Sequence, residues 1–136
     1  MGAEKQGSDF KIVTGEKEDI MIVLFIGQIR SQEVAELETL LATLIEKPQT
    51  SIIISFRDVT QFLPAAHGAF TKIQTSLRKA GKLLALASFR PEIKAALLQA
   101  GVLRESEIFN NIPESWQAIK VKLQDSEVVS STKKAA

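Results

Sequence analysis

The chain has 136 residues, 45% of them hydrophobic and 24% charged, and 17 Lys and Arg against 16 Asp and Glu leave a net charge of +1. That length suits one domain around one core, and so balanced a charge gives no general pull toward nucleic acid or an anionic membrane. With no Cys and a single His, His67, a disulfide framework, thiolate metal sites and His-rich metal sites are excluded.

The opening residues, MGAEKQGSDF, lack the apolar run of a signal peptide, and Gln6 stands where a myristoylation signal has Ser or Thr. The longest apolar run, residues 20–26, is far short of the roughly 20 residues that span a bilayer. The expectation is a soluble cytoplasmic protein with no direct membrane insertion and no cofactor.

In chain order, FKIVT (10–14) and IMIVLFIGQI (20–29) are β-rich runs separated by the charged, turn-forming GEKED, and are predicted to pair antiparallel. The second run is apolar at nearly every position, as expected of a central strand buried on both faces. Ser31 offers a hydroxyl cap with Glu33 in the first turn, and Val34, Leu37, Leu41 and Leu44 follow at helical spacing until Pro48 forbids continuation. Residues 51–56 read as the next strand. A second helical stripe runs through Ala66, Phe70, Ile73, Leu77 and Ala80 and is closed by Gly81.

LLALAS (83–88) is a short apolar strand, Pro91 suits the first turn of a helix carrying Ile93, Leu97 and Ala100, and Gly101 follows its end. EIF (107–109) reads as a short edge strand. Pro113 opens a last helix with Trp116, Ile119 and Leu123 on one side. Residues 125–136 show no apolar period and are expected to form a disordered tail. Strands alternating with helices imply crossovers, hence a partly parallel sheet with right-handed connections. The prediction is therefore an N-terminal extension (1–9), one α/β domain (10–124) with a mixed sheet of about four to five strands flanked by about four helices, and the tail.

Three segments, FIGQI (25–29), SIIISFRDVTQF (51–62) and residues 78–119, in this order and spacing, resemble the STAS domain. Bacterial anti-sigma factor antagonists and the cytoplasmic tails of sulphate transporters share that fold. The first looks like the family's Gly-x-Leu/Ile strand ending, and the second like its apolar strand followed by a small-Val-Thr turn. The third looks like the family's Gly before a short strand, a helix ending in Gly-Leu (here Gly101, with Val102 before Leu103), a short strand with Ile-Phe, and a final helix containing Ala, here Ala118. In antagonists regulated by a kinase, the turn after the third strand carries Asp-Ser followed by a small residue and Gly, and the Ser is phosphorylated to break the complex with the anti-sigma factor. On this chain Leu63 replaces the Asp, Pro64 the Ser and Ala66 the Gly, and Ser55 falls where the strand often has Asp. Pro64 has no hydroxyl, so the usual phosphoacceptor position is degenerate.

A phosphate at the first turn of a helix would meet free backbone N–H groups and add about −1.5 to −2 charges to the surface. Pro64 removes the acceptor oxygen and one N–H together. The resemblance thus implies a non-catalytic module that binds a protein partner, whether an anti-sigma factor, a switch kinase or another STAS subunit, through one end of the sheet. The candidate contacts are Thr60, Gln61, Phe62, Leu63, Pro64, Ala65 and His67 on one turn and Ser88, Phe89 and Arg90 on its neighbour. Two orientations of Phe62 and Leu63 fit the sequence, outward as an apolar contact or inward as a plug for the core. Phe89 is expected to be exposed.

Bland explanations stand beside each candidate. Pro64 suits a helix start for local reasons, a lone His is most often an ordinary helix residue, and Thr60 and Thr71 are ordinary for a strand end and a helix. Ser88 reads as a helix cap, and Trp116 as core. A second functional reading is a structural STAS subunit of a larger assembly, stressosome-like or accessory to lipid transport, and a homo-oligomer is compatible with either reading. An enzyme fits least, because no Gly-rich phosphate loop and no Ser, His and Asp constellation is visible.

Overall fold

The computed structural model describes residues 10–122. The predicted extension at 1–9 and the predicted tail from 125 lie outside the described residues. β1 (Lys11–Lys17) and β2 (Ile20–Ile29) form the expected antiparallel hairpin. There follow α1 (Val34–Glu46), β3 (Ser51–Phe62), α2 (His67–Lys79), β4 (Leu83–Ala87), α3 (Pro91–Gln99) and β5 (Ile108–Phe109), then α4 over residues 112–122. The five strands lie in sequence order, with β2 to β5 all parallel. This is the mixed α/β sheet that the alternation of strands and helices required.

The period of the buried residues assigns the two faces. On β2, Met21, Val23, Phe25 and Ile29 enter one core with Leu37, Leu40, Leu41 and Leu44 of α1, Phe70, Ile73 and Leu77 of α2, and Ile93 and Leu97 of α3. The opposite face is smaller: Ile20, Ile53, Ala85 and Ala87 meet Ile119 of α4, with Trp116 and Ile112 packed against them. Trp116 thus belongs to a core, and the ammonium groups of Lys17 and Lys120 lie 5.3 Å from its ring centre.

β3 is twice as long as the predicted strand 51–56, and its register gives the reason. Leu24 and Ile26 lie opposite Ser55 and Asp58, and Gly27 and Gln28 opposite Val59 and Gln61, so β3 carries an extra residue at two places. Each bulge shifts the side-chain alternation by one. The core residues of β3 are consequently Ile52, Ile54 and Phe56 at spacing two, then Val59 and Phe62 at spacing three. A period-two search loses such a strand at Phe56.

The helix ends show a second difference. Ser31 does not cap the following helix; its hydroxyl bonds the Gln32 side chain. α1 has no side-chain cap bond. The 3₁₀ turn before it, Ser31–Glu33, is closed by the Glu33 carboxylate, which accepts from the Arg30 backbone N–H at 2.8 Å and from the Arg30 guanidinium at 3.1 and 3.2 Å, with the Glu33 side chain fully buried. Gly81 behaves as predicted: its φ of +80° ends α2 in a conformation that costs other residues energy.

Candidate functional site

The sheet brings the carboxyl ends of β2, β3 and β4 to one edge of the molecule. Ile29 and Phe62 share the last row of the β2–β3 ladder, and the Leu63 N–H donates to the Ile29 carbonyl at 2.9 Å. Leu63 is extended, and Pro64 then opens a single 3₁₀ turn, Pro64–Ala66, that leads into α2. Its fixed φ and missing N–H suit that first position. The Ala66 N–H closes the turn on the Leu63 carbonyl at 3.0 Å, with Ala66 buried and Pro64 and Ala65 exposed.

Phe62 takes the inward orientation. It is 8% exposed, lies 6.1 Å from the Phe56 ring and 5.6 Å from Phe70, and meets His67 at 5.4 Å edge-on. Leu63 is half-buried. His67 is likewise half-buried, and its Nε2 is buried with no hydrogen-bond partner.

The neighbouring turn departs from expectation at two residues. Phe89 is half-buried, because its ring stacks on Phe56 at 4.3 Å and 17°. Ser88 does not cap α3: it sits at φ +65°, its N–H donates to the Phe109 carbonyl at 3.2 Å, and Arg90 occupies the cap position without a side-chain cap bond. Because β3 and β4 are adjacent, the two predicted turns do lie side by side. Phe56 is the floor beneath both, touching Phe62 on one side and Phe89 on the other. The bulge beyond Phe56 hid this link from the sequence reading.

What faces solvent is then Thr60, Gln61, Pro64, Ala65 and Arg90, with Leu63, His67, Ser88 and Phe89 partly accessible between them. From Val59 to Thr71 the chain carries no Asp, Glu, Lys or Arg. The surface over the β3 turn is therefore uncharged and small-featured, flanked by Arg90, Arg57 and Asp58, which are all exposed. Such a surface desolvates cheaply while its aromatic floor keeps it rigid, two properties that favour protein contact. The uncharged run was the available sequence signal for it.

The carboxylates with shifted pKa belong to other parts of the molecule. A hydrogen bond from Lys47, then its charge and a bond from Gln49, hold Glu16 below the usual carboxylate range despite an opposing effect of burial. Lys120 does the same for Glu18 in the hairpin turn. Partial burial, and then the Glu33 charge, push Glu36 up. Glu36 lines a shallow cavity of about 350 Å³ against β1, with Ile12, Ala35, Thr39 and Leu40. Among the described residues no group of three or more His, Asp or Glu is placed to hold a metal ion, and no helix is long and apolar enough to cross a membrane.

A five-stranded mixed sheet whose β3 end carries a turn without Asp, Glu, Lys or Arg defines a small α/β domain. Its family follows from the sequence itself: the STAS domain model matches residues 11–115, so the chain belongs to the STAS domain family.

Solved structures agree in fold. A sulfate transporter family protein from Wolinella succinogenes superposes with a TM-score of 0.71 at 21% identity, over 81% of this chain and 92% of that one. A putative anti-sigma factor antagonist from Thermotoga maritima gives 0.68 at 18% identity, over 84% and 95%. The anti-sigma factor antagonist SpoIIAA in its unphosphorylated form gives 0.64 at 15% identity, over 83% and 96%. No curated protein matches the sequence significantly.

Proposed function

We propose that this chain is a non-catalytic cytoplasmic binding module of the antagonist type, which engages a regulatory protein through the face formed by Thr60, Gln61, Leu63, Pro64, Ala65, Ser88, Phe89 and Arg90. The observation that carries the reading is the uncharged β3 turn, held on an aromatic floor, at the edge where the carboxyl ends of the strands meet. The fold shared with antagonists supports it, and the partner class that follows is an anti-sigma factor, a switch kinase or another STAS subunit. Action is by occlusion: the module covers a surface that the partner uses for something else.

Pro64 occupies the position of the family's phosphoacceptor without an oxygen to phosphorylate, so control lies with the partner, with abundance or with assembly. Phe62 supports the turn from inside, and half-buried His67 lies at the margin of the face. The direct test is affinity purification from the native host, comparing wild type with Ala65→Glu. Ala65 is exposed, so the substitution places a charge on the face without entering the core, and circular dichroism checks that the fold is intact. The expected result is loss of one partner from the variant sample. Identical partner sets from both proteins would remove this face from the function.

A further inference from the structure

The two helices that cover the main core divide their charges by sign. α1 carries Glu36, Glu38 and Glu46 and no basic residue; α2 carries Lys72, Arg78 and Lys79 and no acidic one. Arg78 is satisfied by Glu107, at 3.0 and 2.6 Å. Glu38, Glu46, Lys72 and Lys79 are exposed and form no ion pair or hydrogen bond among the described residues. Two helix faces of opposite sign, α1 acidic and α2 basic, therefore lie side by side, with these charges exposed to solvent.

The register between the helices is fixed by the sheet. Ile29 and Phe62 are partners in the last row of β2 and β3. Each is followed by one 3₁₀ turn and then by a helix that begins five residues later, at Val34 and at His67. Both helices are 13 residues long. Glu46 and Lys79 are the last residues of their helices, while Glu38 and Lys72 are the fifth and sixth, so each acid lies level with one base.

We infer that the α1–α2 face is a self-association surface, on which a second copy of this chain docks about a two-fold axis running along the helices. A two-fold contact sets residue i on residue j and j on i. With the axis along the helices, α1 of one copy lies on α2 of the other, and each residue meets one at its own height. Glu46 then faces the second copy's Lys79, and Glu38 its Lys72, each pair occurring twice. An axis across the helices would instead set α1 on α1, acid against acid. Exposed residues before and between the charges are small, Ala35, Thr39 and Ala42 on α1 and Gly68, Thr71 and Thr75 on α2, so two layers can approach closely. Ile45, 42% exposed, supplies an apolar contact.

Two 13-residue helices about 20 Å long and 8–10 Å apart offer a footprint of roughly 400 Å² per copy. That is below the roughly 1,000 Å² total of stable interfaces, so the dimer belongs to the weak, salt-sensitive class. The charged pairs lie further along α1 and α2 than the β3 turn, which the surface adjoins at Gly68, and the inference does not depend on the proposed partner.

The test is sedimentation velocity on the whole chain, from about 5 to 500 µM and at about 20 and 500 mM salt. Wild type is compared with Glu38→Lys/Glu46→Lys, which makes both helices basic, with Lys72→Glu/Lys79→Glu, which makes both acidic, and with an equimolar mixture of the two variants. Wild type is expected to approach twice the chain mass at low salt and to dissociate at high salt. Each variant alone is expected to be monomeric, with a dissociation constant raised at least about tenfold, and the mixture is expected to recover the dimer.

If wild type is monomeric throughout, or if the folded variants do not associate on mixing, the inference is overturned. Carbodiimide cross-linking of mixed isotopically labelled and unlabelled wild type reads the same geometry without a substitution. A Glu46–Lys79 link between copies is expected, and links confined to single copies would refute the contact.

Discussion

Replacing Phe56 by Ala tests whether the candidate face rests on the core as described. Phe56 is fully buried, and its ring meets Phe25 and Phe70 at 5.4 Å, Phe62 at 6.1 Å and Phe89 at 4.3 Å. Truncating a buried Phe removes its transfer free energy and leaves a cavity, together about 3–5 kcal/mol. The four ring neighbours argue for the upper half, about 4 kcal/mol. With a urea dependence of about 1.5 kcal/mol per molar for a chain of this size, the unfolding midpoint should fall by about 2.5 M. Equilibrium urea unfolding followed by far-UV dichroism and by Trp116 fluorescence measures this, and coincident transitions would justify the two-state treatment. Phe56→Leu keeps much of the volume and should cost about 1–2 kcal/mol, while weakening partner binding because Phe89 loses its stacking surface. A fall of less than about 0.5 M for Phe56→Ala would refute the description of Phe56 as the common floor of both turns.

Two further substitutions probe the electrostatics. Glu107→Gln removes the charge from a partly buried, two-pronged contact with Arg78 and should lower stability by about 1.5 kcal/mol in the same urea experiment; an unchanged midpoint would mark the pair as ornamental. Glu36 has its carboxyl pushed up by partial burial and then by the Glu33 charge. The folded state therefore holds the Glu36 proton more tightly than the unfolded state, and the ionised form is penalised at neutral pH. Glu36→Gln should raise the melting temperature at pH 7, and the gain should vanish as the pH falls below about 4, where the wild-type carboxyl is protonated in both states. A gain that persists unchanged in acid would show that the effect is not one of charge.

Most of the element order was legible because each helix carries an apolar stripe and each strand a short apolar run between clear stops such as Pro48, Gly81 and Gly101. What escaped the sequence reading did so for identifiable reasons. The second half of β3 was hidden because two bulges move its buried residues from spacing two to spacing three at Val59 and Phe62. The cap was misassigned to Ser31 because a 3₁₀ turn, Ser31–Glu33, precedes α1 and is closed by a buried Glu33 folding back on Arg30, which has no short-range signature as strong as a hydroxyl. Phe89 read as exposed because its stacking partner, Phe56, lies 33 positions away in the chain, on β3, while Phe89 sits in the turn after β4. That residue 64 has no side-chain hydroxyl needed no structure at all, since it is a property of proline.

The most direct test of the binding face is photo-cross-linking in the native host, with a light-activated amino acid placed at Ala65, at Arg90 and, as a control on the far side of the sheet, at Gln117 of α4. All three positions are exposed. The same protein adduct from Ala65 and Arg90, absent from Gln117, is the expected result. An adduct from Gln117 with none from the two turns would place the working surface on the other face and contradict the proposal.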